Sequence, residues 1–307
     1  VRTYGVSGIL YEIPRLAAEW GLRSAPGAWL GSDSSANQQQ VSRFIELIQE
    51  ESDNIEFAVV GNETDESGCG NAELLGYIAQ VKAVAGPLGI PVTCAQKDGF
   101  WLDAANCTVM EAVDFVTANI HPFWAGVGIE DAQQNLNERY AALAAAVAPK
   151  LAIVGEVGWP SEGGANGGAV PSHENQEAMT RAAVGWSQAQ GVPCYLFEAF
   201  DEPWKGEPGA VGPHWGLVHY TLSLYVIGSG EVTGAGHYDA WRTATLSATP
   251  APGHQFDGWS GDLTGDENPA ELFMDSDKCV AAHFRPSAIE HGTVWAGSSW
   301  RTVNLTA

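Results

Sequence analysis

Positive charge is scarce in this 307-residue chain, with 14 Lys and Arg against 37 Asp and Glu and a formal net charge of −23. Such a surface repels a phosphate backbone and an anionic membrane alike, so no nucleic-acid partner is expected. Long apolar runs are missing too. Nothing reaches the roughly 18 consecutive apolar residues of a membrane-spanning helix, so no membrane insertion is expected. The five cysteines, Cys69, Cys94, Cys107, Cys194 and Cys279, contain no closely spaced pair, which removes zinc-knuckle and redox motifs. Their odd number leaves at least one thiol free, and Cys94 and Cys194 sit in strand-like runs that read as buried. No strand is followed by a glycine fingerprint of the dinucleotide or phosphate-loop kind, which counts against a doubly wound cofactor fold. Neither cofactor nor metal is expected.

What is present is a sizeable core and an excess of indole: 45% of residues are apolar and twelve are Trp. The length suits one large domain of roughly 200–250 residues plus a small module. Up to about residue 216, short apolar runs alternate with helix-length periodic ones. Strands are expected at Val1–Tyr4, Leu22–Trp29, Ile55–Val60, Ile90–Thr93, Phe115–Ile120, Leu151–Val154 and Val192–Phe197. Between them, Val41, Phe44, Ile45 and Ile48 mark one helical face, and Leu136, Tyr140, Leu143 and Val147 mark another. Ser172 reads as the N-cap of a helix that ends at Gly191. Strands joined through helices imply a parallel α/β architecture, barrel or doubly wound. Polar residues gather just after the strand ends, at Asn62, Glu63, His121, Glu156, Glu198 and Asp201, as at the mouth of a barrel. Beyond Trp215 the pattern changes to short alternating strands broken by Gly, Pro and Asp, which predicts a small all-β module over 219–285. A tail, 286–307, holds one further short run.

Two strand-end glutamates, Glu63 in FAVVGNET and Glu156 in LAIVGEVGWPSEG, are each preceded by an apolar run and a glycine. Paired carboxyl groups across a bond are the requirement of glycoside hydrolysis, about 5.5 Å apart for retention and roughly 6.5–9.5 Å for inversion. Asn62 is placed to hydrogen-bond a sugar hydroxyl, and His121 to assist either carboxyl group. Lys205, in FEAFDEPWKG, is a candidate substrate contact or a partner for Glu202. Trp29, Trp124, Trp159 and Trp204 each follow a different expected strand, where an indole can stack on a pyranose or pack into the core.

VRTYG, GAWLG, VVGNE, NIHPFW, IVGEVGWPS and FEAFDEPWKG, followed by HWGL, resemble in order and spacing the β-1,3-glucanases of glycoside hydrolase family 17, in their bacterial form. The resemblance covers about 1–217. It implies a (β/α)8 TIM barrel, a retaining mechanism on β-1,3-glucan, Glu63 as acid/base and Glu156 as nucleophile. It implies substrate contacts from Tyr4, Asn62, His121, Trp124, Trp159 and the Glu202–Lys205 pair. Three departures stand out. The first strand is absent if Glu63 follows strand four; TDESGCG after Glu63 lacks the family's usual basic residue; and Val157 replaces a small polar residue.

The segment 219–284 resembles an internalin-type bacterial repeat, through TLSATPAPGHQFDGWSGDLTGDENP and AAHF. Its acidic residues Asp262, Asp266, Glu267, Asp275 and Asp277 offer calcium ligands or a solvated turn. The expected protein is thus a bacterial β-1,3-glucan hydrolase, extracellular or at the cell surface. The alternatives are a β-1,3-glucan transglycosylase and a non-catalytic glucan-binding surface protein. An opening at VRTYG with neither Met nor an apolar leader, together with the absent strand, leads to the expectation of a chain cut at both ends, with Thr293–Leu305 the candidate for a substitute strand.

Overall fold

The computed structural model describes residues 1–287 and, as backbone, 290–295 and 300–305. It contains two compact units: Val1–Glu198 with Trp204–Trp215, and Ala199–Pro203 with the chain from Gly216 onward.

The first unit is a curled, open parallel sheet in the order β1 (Gly27–Ala28), β2 (Ala58–Asn62), β3 (Val92–Lys97), β4 (Val116–Asn119), β5 (Ala152–Val157) and β6 (Cys194–Leu196). Helices α1 (Ile13–Glu19), α2 (Ser34–Glu50), α3 (Thr64–Ser67), α4 (Asn71–Ala85), α5 (Asp98–Leu102), α6 (Cys107–Ala112), α7 (Ile129–Val147) and α8 (His173–Gln190) lie in the connections. The longer helices carry their own start and stop signals. Asp33 caps α2 by accepting from the Ser35 and Ala36 amides, and Ser172 caps α8 by accepting from that of Asn175. Gly191, in the left-handed region at φ 66°, stops α8.

The strands read as continuous apolar runs because both faces are buried. Outward residues Ala58, Val60, Val92, Cys94, Val116, Ala118 and Val154 join the helix-covered core with Phe44, Leu47, Ile48, Leu74 and Leu136. Fully burying a side chain such as Leu47 or Ile48 contributes about 1.5–3 kcal/mol. The inward residues Val59, Ala95 and Ile153 belong with Ala25 and Phe57 to a second, smaller cluster, with Phe115 and Tyr195 packed on it. The barrel axis is therefore filled at its lower end, and the polar strand ends are left at the other.

The expected first strand is reduced to little: Val1–Tyr4 makes one parallel bridge, Arg2 to Ala25, and Leu22–Trp29 shortens to Gly27–Ala28 with a bridge from Ser24 to Ile55. Among the described residues β6 pairs only with β5, so the sheet does not close. Among its described residues, the segment 293–305 supplies no barrel strand. Glu290–Trp295 and Trp300–Leu305 pair antiparallel with each other instead. All five cysteines are free thiols, with Cys69 and Cys94 buried and Cys194 half-buried.

The second unit is all-β. One sheet has three strands, Ala270–Phe273, Thr243–Pro250 and Gly230–Thr233; the other has four, His254–Gly261, Lys278–Pro286, His219–Ile227 and Gly236–Asp239. Leu222, Leu246, Trp259, Met274, Val280 and Phe284 form its core. Its acidic side chains are engaged locally: Asp277 accepts from the Thr221 amide, Asp262 from that of Cys279, and Asp275 pairs with Lys278.

Candidate active site

Three strands lose regular register where they reach the polar end, between Val59 and Asn62, Ala118 and Asn119, and Val154 and Val157. Such irregularities re-aim the side chains that follow. They deliver Asn62 with Glu63, Asn119, and Glu156 to one place. Glu63 itself sits in the left-handed region, φ 45° and ψ 52°, a conformation that costs a non-glycine residue on the order of 1 kcal/mol or more. Its neighbours hold it there. The Glu63 amide donates to Ala95 O at 2.9 Å, while Gln96 accepts from the Thr64 amide at 3.0 Å and donates to Thr64 Oγ1 at 2.8 Å.

Glu156 is buried, at 5% exposure. Its Oε1 lies 3.2 Å from Arg2 Nη1, and its Oε2 is 3.2 Å from His121 Nε2. Burial pushes this carboxyl group up, but the Arg2 guanidinium, the His121 contact and the Tyr4 hydroxyl more than offset it, and the group is held below its ordinary value. Glu63 goes the other way. Burial and the negative charge of Glu156 raise it, against the opposing pull of Asn119, Lys97 and His121. Asn119 Nδ2 donates to Glu63 Oε1 at 2.9 Å, and Lys97 Nζ is 3.8 Å from Glu63 Oε2.

Arg2 ties the cluster together. Nη2 donates to Asn62 Oδ1 at 2.7 Å, Nη1 also donates to Gly155 O, and the guanidinium lies 4.7 Å over the Tyr4 ring. Asn62 Oδ1 takes a second bond from Asn119 at 3.1 Å, which leaves Asn62 Nδ2 as the group available to a ligand hydroxyl. His121 is packed edge-on against Phe197 and Trp215, with ring centroids 5.4 and 5.2 Å away.

The other expected residues divide. Trp124 is 39% exposed and lies 5.9 Å from Trp215 at a tilt of 40°. Trp159 corrects the expectation of a rim platform: it is fully buried, donates Nε1–H to Val170 O at 2.9 Å and packs on Phe123. No face of its indole is open to a sugar. Lys205 Nζ donates to Glu198 Oε2 at 2.7 Å and sits 4.5 Å over the Phe197 ring. Glu202 lies in the segment 199–203, which belongs with the second unit. Arg2, Asn119 and Lys97 were not among the expected site residues. The only sequence signal for them is polarity at or beside an apolar run, and for Lys97 and Asn119 the position at a strand's end.

Two buried or half-buried carboxyl groups pushed in opposite directions at one end of a curled parallel sheet are an arrangement that glycoside hydrolysis can use. The chain belongs to the BtgE/BtgC glycoside hydrolase domain family, whose model matches residues 1–216; residues 220–288 match the Divergent InlB B-repeat domain. A putative glucan endo-1,3-β-glucosidase, btgC, of Aspergillus niger is 30% identical over 212 residues, covering 62% of this chain and 30% of the relative. A glucan 1,3-β-glucosidase of Schizosaccharomyces pombe is 27% identical over 238 residues, covering 73% of this chain and 74% of the relative. The crystal structure of a family 17 β-1,3-glucanosyltransferase from Rhizomucor miehei is similar with a TM-score of 0.63 and 26% identity, covering 71% of this chain and 80% of that one. The chain spans less than half the length of the Aspergillus relatives it matches.

These relatives correct the bacterial assignment. The barrel domain matches a BtgE/BtgC model and the curated relatives it resembles are fungal, which overturns the bacterial part of the expected family and location. VVGNE and IVGEVGWPS record the chemistry of strand ends, which carries no mark of its source. Among the described residues no helix is long and apolar enough to cross a membrane.

Proposed function

We propose that the first unit cleaves β-1,3-glucan with retention of configuration, through a covalent glycosyl-enzyme on Glu156, with Glu63 as acid/base. The protonated Glu63 donates to the glycosidic oxygen as the Glu156 carboxylate attacks the anomeric carbon. Glu63, now ionised, then takes a proton from water, or from a sugar hydroxyl, as that oxygen displaces Glu156. One observation carries the reading: the surroundings push the Glu156 carboxyl group below its ordinary value and the Glu63 carboxyl group above it, the direction of division that a two-carboxyl mechanism needs. His121 and Tyr4 steady the nucleophile, and Asn62 Nδ2 is available to a hydroxyl beside the reacting carbon. Trp124, like Trp29 and Trp204, is an exposed indole available for stacking, and Lys205 with Glu198 lines the same end of β6. The names of the relatives support β-1,3-glucan as the substrate class.

The test is chemical rescue. Glu156→Ala should lose several orders of magnitude of turnover and regain it with azide or formate, giving a product of inverted configuration. Glu63→Ala should need an activated leaving group plus azide, with the β configuration kept. Losses below about tenfold in both variants would end the assignment. Transfer in place of hydrolysis is the second reading, favoured by the likeness to a glucanosyltransferase. Incubation with reducing-end-labelled laminari-oligosaccharides separates the two, since transfer makes products longer than the substrate. A non-catalytic glucan binder has no use for either carboxyl group.

A further inference from the structure

The ladder between β3 and β4 stops at Lys97 and Asn119, which lie opposite each other. Past that point one side chain joins the two strand exits. Arg139, on α7, donates from Nε to Asp98 Oδ2 at 2.7 Å, from Nη2 to Asp98 Oδ1 at 2.5 Å and from Nη1 to His121 O at 3.2 Å. Asp98 opens α5 directly after β3 and is buried, at 8% exposure. Its chain neighbour Lys97 is the residue that approaches Glu63, and His121 stands two residues past Asn119. A planar guanidinium with fixed N–H directions can hold all three acceptors at once.

We propose that Arg139 is a positioning residue of the reaction: by holding Asp98 and the His121 carbonyl together, it fixes where the His121 ring meets Glu156 and where Lys97 stands beside Glu63. The inference rests on the reading of Glu156 as nucleophile and Glu63 as acid/base.

The His121 ring depends on such a hold. A hydrogen bond at one ring nitrogen of a histidine ordinarily fixes how the other is presented. Here Nε2 faces Glu156 Oε2 at 3.2 Å, but the buried Nδ1 makes no hydrogen bond with the described residues. What sets the ring is therefore its edge-on packing against Phe197 and Trp215 and the placement of its own backbone. That backbone is held on both sides. The Ile120 amide donates to Glu156 O at 2.8 Å, and His121 O accepts from the Trp124 amide at 3.2 Å as well as from Arg139. Helix α5 has an anchor of its own on β4, Trp101 Nε1–H to Thr117 O at 3.0 Å, so loosening the fork should shift the strand exits rather than release the helix. A displacement of about 1 Å in reacting geometry can cost about a hundredfold in rate.

Arg139→Met alone would leave a buried carboxylate without its counterion, which destabilises a fold whatever its effect on catalysis. The double variant Arg139→Met/Asp98→Asn removes both charges together and is the one to measure. Its kcat for laminaripentaose should fall at least about tenfold while KM stays within about twofold, because the groups proposed to touch the sugar are not replaced. The matched control lies at the other end of the same two strands, where Lys82 Nζ, on α4, holds Asp114 Oδ1 at 2.5 Å and Ala112 O at 2.9 Å. Lys82→Met should keep kcat within about twofold even where it melts lower. A kcat within about twofold in the double variant, or an equal loss in Lys82→Met, overturns the proposal. The ring can also be read without turnover. In protein labelled with 15N-histidine, the His121 signals are picked out among the eight histidines by their loss in His121→Gln. They should move in the double variant and not in Lys82→Met; signals that stay in place overturn the proposal. Should the double variant fold poorly, Arg139→Lys, which keeps the charge but not the fork, is measured in its stead with the same outcomes. If the unsubstituted chain turns over no substrate, the reading of Glu63 and Glu156 fails, and the histidine signals still decide the role of Arg139.

Discussion

Replacing Arg2 by Met should move the acid limb of the pH profile. The guanidinium is 3.2 Å from Glu156 Oε1, and the two side chains are only 3% and 7% exposed. At an effective dielectric constant of about 20, that separation is worth about 5 kcal/mol, a ceiling of nearly four pKa units. His121 and the Tyr4 hydroxyl remain in place, and water entering the vacated space screens the rest, so the Glu156 carboxyl group should rise by well less than that ceiling. The sign follows directly. Glu156 sits below its ordinary value because of Arg2, so the variant must reach a higher pH before its nucleophile ionises. Near pH 5 kcat/KM for an aryl β-laminaribioside should fall by roughly tenfold, and the loss should shrink towards pH 8. Arg2→Lys keeps the charge but not the fork that reaches Asn62 and Gly155, so its shift should be smaller. Melting curves taken alongside exclude unfolding as the cause. An activity loss of equal size at every pH, with the acid limb unmoved, would refute the electrostatic reasoning and leave Arg2 a positioning group alone.

Glu63→Gln should abolish glycan cleavage yet stabilise the fold. Because the folded state raises the Glu63 carboxyl, the stability it contributes is complete below the unfolded-state pKa and is lost as pH rises through the folded one. Melting temperatures should therefore rise by about 2–4 °C at pH 7 and not at pH 3.5, and a rise at both would count against the cause given. Trp159→Ala should cost about 3–5 kcal/mol in denaturant unfolding, as for a fully buried aromatic, whereas Trp124→Ala should leave the unfolding midpoint in place and raise KM for laminari-oligosaccharides. Equal destabilisation of the two would show that Trp124 is packing rather than platform.

Much of this molecule can be read from short stretches of chain, because its signals are local. An apolar run, a Gly and then a Glu within two residues marks a buried parallel strand with a carboxyl group at its end, and that pattern places Glu63 and Glu156 there. Capping residues such as Ser172 and Gly191 announce a helix within a few positions of where it begins and ends. The short strands broken by Gly and Pro separate the second unit from the first without reference to any contact.

What local pattern does not carry is which side chains meet. Arg2 reaches Glu156 and Gly155 across about half the chain, and Asn119 reaches Glu63 from two strands away. No spacing in the sequence encodes either encounter. Lys97 stands on β3 while the Glu63 it approaches follows β2, so the basic neighbour of Glu63 comes from another strand. Trp159 and Trp124 look alike as residues after strands, yet one is sealed against Phe123 and the other is open, because burial is a property of what packs around a residue. The sequence by itself determined the two carboxyl groups and the sheet that carries them. Only the tertiary structure decided that one is clasped by Arg2, His121 and Tyr4 while the other is left to feel its charge, since an electrostatic environment is the sum of groups brought together from distant parts of the chain.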